Sequence, residues 1–160
     1  MNDLFYEQLT PGRPRLPKIL YILLIALAAA IGVFLTLGVS LFGIIFAMGL
    51  IWLLNRFVRP YTSVEYEYCL TNANLTVDAI YGKEKRASLT NINLREAGSV
   101  NKGRPGSVQG YEKVFDCVSP EADPSTVCNV VYNEGGKRYL LLFTPDEQMM
   151  SLLRRVVPVR

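Results

Sequence analysis

The feature that most constrains this chain is the run from Ile19 to Asn55, which contains 37 residues and no charged side chain. The hydrocarbon core of a bilayer is about 30 Å thick and about 20 helical residues cross it, so the run is long enough for two crossings. Gly38 and Ser40 lie near its middle, where such residues favour a turn. The sequence therefore predicts a transmembrane helical hairpin at 18–58, with spans at about 18–37 and 40–58.

Basic residues flank both ends of this hairpin. Arg13, Arg15 and Lys18 precede the first span, and Arg56 and Arg59 follow the second. Because Lys and Arg near span ends favour the cytoplasmic face, we expect a multi-pass protein of the cell membrane with both termini in the cytoplasm. A cleaved signal peptide is the competing interpretation of the first span, but its apolar core would be about 7–15 residues long, whereas this run continues into a second span.

The interior of the hairpin offers close packing but no polar pathway. Ala28 and Gly32 on the first span, and Gly43 and Ala47 on the second, are small residues spaced four apart. In lipid such pairs let helices approach closely, so we expect them to pack the hairpin, the alternative being a homodimer interface. Because the spans contain no charged side chain, a transporter or channel is not expected.

Residues 1–17 form a predicted N-terminal cytoplasmic segment. Leu4, Phe5 and Leu9 lie among polar residues, and prolines before the first span prevent a continuous helix. The pattern leaves three alternatives open: a segment on the membrane surface, a segment docked on the following domain, or a disordered tail.

The composition argues against several classes of function. Histidine, the commonest general base and metal ligand, is absent. Cys69, Cys117 and Cys128 form no CxxC pair and are expected to be small buried hydrophobes in a reducing compartment. The net charge of +3 is not gathered into a basic stripe typical of nucleic-acid binding. We predict no catalytic residues, no metal site, no cofactor and no nucleic acid partner, and we do not expect an enzyme.

After Pro60 the pattern changes to short segments of period two, which are typical of half-buried strands. Turn residues at Thr71–Asn74, Tyr81–Glu84 and Glu134–Gly136 separate them, and the glycine-rich stretch Asn101–Gly110 is a predicted loop. The predicted strands are 64–71, 75–81, 85–90, a weaker one at 92–100, 112–118, 126–133 and 137–143.

A C-terminal helix is predicted at 145–157. Thr144 would be its N-cap, Pro145 its first residue, and Glu147 would complete a capping box. An apolar stripe follows at helical spacing, which needs a surface to cover. The stripe comprises Met149, Leu152, Leu153 and Val156.

Taken together, these elements predict an α+β fold. A two-helix transmembrane hairpin is followed at 61–160 by a mainly antiparallel β domain of about seven strands, capped by the C-terminal helix. This order of strands and helix is that of pleckstrin-homology-like (PH-like) domains, although no short motif defines the fold.

Three stretches also resemble a family of small bacterial membrane proteins known as a domain of unknown function. They are Met1–Leu9, Tyr66–Asp78 and Pro145–Met149, and with the hairpin the similarity covers nearly the whole chain. More loosely, the chain is similar to membrane-anchored bacterial PH-like proteins. The resemblance implies no activity and no ligand residues. The chain departs from the family pattern at Gly82–Arg86, where a denser basic run is expected.

Five basic residues are candidate contacts for a lipid or a partner. Lys83, Lys85 and Arg86 lie at a predicted hairpin turn, where each could gain about 1 kcal/mol near an anionic leaflet. Lys102 and Arg104 lie in the predicted glycine-rich loop. For both groups, ordinary solvated residues are the competing interpretation.

The sequence therefore favours one of two functions. The first is a non-enzymatic adaptor or scaffold that binds another membrane protein through a sheet edge or the loop Asn101–Gly110, helped by its confinement to the membrane. The alternative is a module that binds anionic lipid at the membrane surface. Association with further copies of the same chain, as a homo-oligomer, is another alternative.

Overall fold

The computed structural model describes residues 4–38, 42–97 and 100–159, and the chain divides into two compact units. The hairpin unit comprises Pro14–Val64 and Tyr81–Lys85, and the β unit comprises Met1–Arg13, Glu65–Ile80 and Arg86–Arg160. The predicted α+β class is confirmed.

The hairpin unit is built on two apolar helices. Helix α1 spans Lys18–Gly38, and α2 spans Phe42–Leu53 and continues through a π-helical turn at Leu54–Val58 and a 3₁₀ turn at Arg59–Thr62. Each stretch of 21 residues is long and apolar enough to cross a membrane. Gly38 still belongs to α1, and Val39 and Ser40 of the predicted turn lie outside the described residues.

Small residues hold the two helices together, as predicted. Ala28, Gly32, Gly43 and Ala47 are buried, while most larger apolar side chains of both helices are exposed. A methyl group added at Gly43 would lie 2.7 Å from the Gly32 carbonyl oxygen, and one added at Gly32 would overlap the Ala47 methyl. The close approach of the two backbones therefore requires glycine at both positions.

The β unit contains two four-stranded sheets, counted over the described residues. The first has the order β1-β2-β3-β4 and the second the order β5-β7-β8-β6. Strand β6 runs parallel to β8, so the second sheet is not purely antiparallel. The strands are β1 (Phe5–Pro11), β2 (Val64–Thr71), β3 (Asn74–Tyr81), β4 (Lys85–Asn93), β5 (Asn101–Lys102), β6 (Lys113–Asp116), β7 (Cys128–Glu134) and β8 (Lys137–Phe143).

The N-terminal segment supplies a strand that the sequence analysis did not assign. Strand β1 pairs antiparallel with β2, from Phe5 opposite Thr71 to Pro11 opposite Glu65. The number of strands is therefore eight in the described part of the chain, not about seven. Because β1 precedes the hairpin in sequence, the two apolar helices are an insertion between the first two strands of one sheet.

The predicted strand at 92–100 is wrong. Strand β4 continues to Asn93, and the next residues form a short helix, α3 (Leu94–Ala97). Leu94, the first residue of α3, donates its backbone N–H to the Ala73 carbonyl. Val100 makes an isolated parallel bridge with Val159. Asn101 and Lys102, predicted to begin a loop, form β5 instead.

The C-terminal helix α4 spans Glu147–Val156, so the capping box on Thr144 is also wrong. Asp146 is the N-cap, and its carboxylate accepts the Met149 backbone N–H at 2.7 Å. The Thr144 hydroxyl accepts the Ser119 N–H instead. The predicted stripe is confirmed, because Met149 and Leu153 are fully buried in the core between the sheets.

Strand β1 is tied to the start of α4 as well as to β2. The Tyr6 hydroxyl donates to an Asp146 carboxylate oxygen at 2.6 Å, and this bond is the main reason that the pKa of Tyr6 is raised. The Gln8 side chain donates to the Thr144 carbonyl and accepts the Asp146 N–H. Within the N-terminal segment, Phe5–Pro11 is thus docked on the domain, one of the three alternatives that the sequence left open.

Candidate functional site

The β3–β4 turn is a tight turn that carries Lys83 at an exposed position. Gly82 and Lys83, its two central residues, have positive φ angles of 60° and 64°, and the Glu84 N–H donates to the Tyr81 carbonyl. Two positive φ values identify a type I′ turn, whose twist matches that of the flanking strands. The predicted turn at Tyr81–Glu84 is confirmed.

This turn packs against the segment that follows α2. The Gly82 N–H donates to the Ser63 carbonyl at 2.9 Å. A methyl group added at Gly82 would lie 2.7 Å from the Pro60 Cα, closer than real Cβ contacts. Glycine is therefore required at position 82 both by the backbone angle and by the close approach.

Two aromatic rings and two cations lie where this turn contacts the segment that follows α2. The Tyr61 and Tyr81 rings are tilted against each other with their centroids 5.6 Å apart. The Arg15 guanidinium lies 4.8 Å from the Tyr81 ring centroid, and the Lys85 ammonium lies 6.0 Å from that of Tyr61. Such cation–π contacts orient both cations while leaving their charges unneutralised.

A polar pocket of about 290 Å³ opens beside the turn. Arg59 and Lys83 line it with Asn55, and Glu84 is its acidic residue. No ion pair among the described residues involves Arg59 or Lys83. We call Arg15, Arg59, Lys83 and Lys85 the basal cluster.

The charge of the hairpin unit is concentrated at this end. By sequence the unit holds six Lys or Arg and one acidic residue, Glu84, whereas the β unit holds eleven basic and thirteen acidic residues. All six basic residues lie outside the uncharged run Ile19–Asn55. The arrangement suits an oxyanion such as a phosphate, because Arg59 and Lys83 line one pocket and neither forms an ion pair with a described residue.

The three cations predicted at the turn differ in their contacts. Lys83 and Lys85 belong to the hairpin unit, whereas Arg86 belongs to the β unit. Arg86 makes a two-pronged salt bridge of 2.8 Å with Glu67, whose side chain is 6% exposed. Burial, followed by a hydrogen bond with Glu7, raises the pKa of Glu67 above its ordinary value, and Arg86 opposes this shift.

The other two predicted contacts lie in the β unit. Arg104 pairs with Asp116 at 3.2 Å, and both side chains are largely solvated. Lys102 lines a separate pocket of about 400 Å³ beside the start of α4. Neither residue belongs to the basal cluster.

Arg15 and Arg59 are site residues that the sequence analysis did not select. Both were used there only as charges that orient the spans. The sequence did contain a signal for a headgroup contact at both arginines, because each lies within a few residues of a span end. The sequence alone could not show that Tyr81 would contact Arg15 and that Lys83 would line a pocket with Arg59.

Two of the cysteines are poorly suited to nucleophilic chemistry. Cys117 and Cys128 are buried, and burial raises the pKa of their thiols to about 12 and about 11. Thiols with raised pKa values are largely protonated near neutral pH and therefore weak nucleophiles. Cys69 is half-buried.

Comparison with known proteins gives one match. No curated protein and no solved structure matches the chain. One family model, described as a bacterial PH-like domain of unknown function (DUF6106), matches residues 2–160, which include both helices of the hairpin and all the strands. The chain therefore belongs to the DUF6106 family of bacterial PH-like domains.

Proposed function

We propose that the protein is a membrane-anchored, non-enzymatic module that holds anionic lipid headgroups at the cytoplasmic surface of the cell membrane. The observation that carries the proposal is the packing of the β3–β4 turn against the end of α2, which adds Lys83 and Lys85 to Arg15 and Arg59. In this proposal α1 and α2 cross the bilayer and both chain termini are cytoplasmic.

The expected position of the basal cluster at the membrane surface supports anionic lipid as its ligand. If the helices cross the bilayer, residues just beyond Asn55 lie at the depth of the lipid headgroups. Basic residues near an anionic leaflet gain about 1 kcal/mol each, so four cations give a useful gain without a deep pocket. The Ser63 hydroxyl and the second N–H of the Asn55 side chain, whose first N–H donates to the Ile51 carbonyl, add donors for phosphate oxygens.

The proposal is tested by native mass spectrometry of the full-length protein, extracted from vesicles that contain phosphatidylglycerol and phosphatidylethanolamine. We expect retained phosphatidylglycerol on the wild type. The variant Arg59→Gln/Lys83→Gln/Lys85→Gln should lose most of it. Equal retention of the anionic lipid by this variant would contradict the proposal.

A charge-matched control removes three exposed arginines of the β unit. It is Arg95→Gln/Arg138→Gln/Arg155→Gln, with the same change in net charge. This control should retain phosphatidylglycerol like the wild type, because the proposed contact depends on the basal cluster and not on total charge. A loss as large as that of the first variant would mean that only general attraction is involved.

The adaptor role is a second candidate, favoured by the exposure of apolar side chains on an edge strand. Phe5 and Leu9 of β1 are 62% and 58% exposed, and β1 is the first strand of its sheet. Affinity capture from native membranes should give a near-stoichiometric protein that is lost in Phe5→Ser/Leu9→Ser. Val108→Ser, which changes a 55% exposed loop residue, is the control and should keep it.

A further inference from the structure

A cleft in the β unit separates one strand of each of its two sheets. It has a volume of about 380 Å³ and lies between Asn91–Asn93 of β4 and Val131–Glu134 of β7. Nearby, the buried hydroxyls of Thr90 and Tyr132 lie 2.7 Å apart and link the two strands below the surface. The cleft therefore lies between two strands that a hydrogen bond links, and all its lining residues belong to the β unit.

One wall of the cleft is an open strand edge, that of β4. Strand β4 is the last strand of its sheet, and no described strand pairs with its other side. Strand β7 is paired with β5 at Cys128 and Asn129, and helix α3 packs against β7, so β7 is not an open edge. Open edges present backbone N–H and C=O groups at the spacing that an added strand requires.

The charge of the cleft selects among possible strands. Glu96 and Glu134 line it with asparagines on both walls, and no described lining residue is basic. Asn93 donates to the Glu96 carboxylate at 2.7 Å, which holds that charge beside the cleft. Complementary charge at a rim steers and selects a partner, and here it favours Lys or Arg.

We propose that this cleft binds an extended segment of another protein that carries Lys or Arg. The backbone of the segment pairs with the free edge of β4, and its basic side chains lie near Glu96 and Glu134. This function goes beyond the lipid contact, and it uses residues of the β unit only.

The test uses a displayed library of random heptapeptides selected on the full-length protein in nanodiscs, with empty nanodiscs as counter-selection. The enriched peptides should carry Lys or Arg at alternating positions. Their affinity should fall about tenfold in Glu96→Lys and in Glu134→Lys and stay unchanged in Glu121→Lys, an exposed acidic residue outside the cleft. Binding should also slow amide hydrogen exchange at Asn91–Asn93 of β4.

Two results would overturn the proposal. One is the absence of enrichment above empty nanodiscs, and the other is enriched peptides that bind Glu96→Lys and Glu134→Lys as well as the wild type. Backbone N-methylation of a selected peptide gives a second measurement that needs no protein variant, and unchanged affinity would also overturn it. Lipid retention by the two variants should stay at the wild-type level, so failure here is distinguishable from failure of the lipid site.

Discussion

The two units of this protein use the same apolar residue types in opposite ways. In the β unit, Leu75, Leu141 and Phe143 are fully buried between two sheets. In the hairpin unit, Leu23 and Phe34 are 58% and 77% exposed, and burial falls on small residues such as Gly32. The first pattern is that of a protein in water, where apolar area is hidden. The second is that of helices in lipid, where backbones approach and side chains face outward.

Charge divides the two units in the same way. The hairpin unit has a strong excess of basic residues at one end, whereas the β unit has a slight excess of acidic residues. The overall net charge of +3 hides this contrast. The excess of basic residues thus belongs to the unit that carries the two apolar helices.

The largest expected effect comes from a core leucine. Leu141→Ala should lower the free energy of unfolding of the β unit by about 2–5 kcal/mol, because the side chain is fully buried. Leu23→Ala in α1 should change stability by less than about 0.5 kcal/mol, because that side chain makes few protein contacts. Denaturant titrations in nanodiscs check both. Equal effects would break the comparison between the units.

A smaller effect is expected at the β3–β4 turn, which belongs to the hairpin unit. Gly82→Ala places a side chain at a φ of 60°, which costs about 1–2 kcal/mol, and also forces the methyl against Pro60. Gly135→Ala has a similar φ of 58° but open space around it. Thermal melting should therefore show a larger loss for Gly82→Ala. Losses of the same size would mean that the close approach to Pro60 is unimportant.

The helix cap is the third position to test. Asp146→Ala removes the bond to the Met149 N–H and the acceptor for Tyr6, and should cost about 0.5–2 kcal/mol. Tyr6→Phe separates the two contributions, because it removes one hydrogen bond and keeps the cap. Amide exchange in the first turn of α4 should speed up in Asp146→Ala and much less in Tyr6→Phe. The reverse order would contradict the assigned cap.

The smallest effect is a change in pH dependence. Burial and Glu7 raise the folded-state pKa of Glu67 above its unfolded value, so the stability contributed by its protonated form is complete below the unfolded pKa. That contribution is lost as the pH rises through the folded-state pKa. Glu67→Gln should therefore reduce the fall in unfolding midpoint between about pH 4 and pH 7, measured against the wild type. An unchanged slope in Glu67→Gln would contradict this role.

The hairpin was the most predictable element of the fold. A charge-free run of 37 residues can be read without tertiary information, and so can the small residues at Gly32 and Gly43. The two tight turns at Gly82 and Gly135 were also predictable, because positive φ angles demand particular residues. These signals are local, and each depends on a few neighbouring residues.

Strand β1 and the cap of α4 were not predictable, because each depends on a distant partner. Tyr6 and Gln8 contact residues almost 140 positions later in the chain, and β1 exists as a strand because β2 pairs with it. Thr144 satisfied the local capping rule, but its hydroxyl bonds Ser119 in the folded domain. Arg86 looked equivalent to Lys83 in sequence, yet the buried carboxylate of Glu67 binds it.

The most direct test of the lipid contact is photo-crosslinking in a bilayer that contains phosphatidylglycerol. A photoreactive residue replaces Lys83 in one sample and Arg95, an exposed cation of the β unit, in another. We predict lipid adducts from position 83 and few from position 95. Adducts from position 95 alone, or equal yields from both positions, would contradict the proposal that the basal cluster contacts the lipid headgroups.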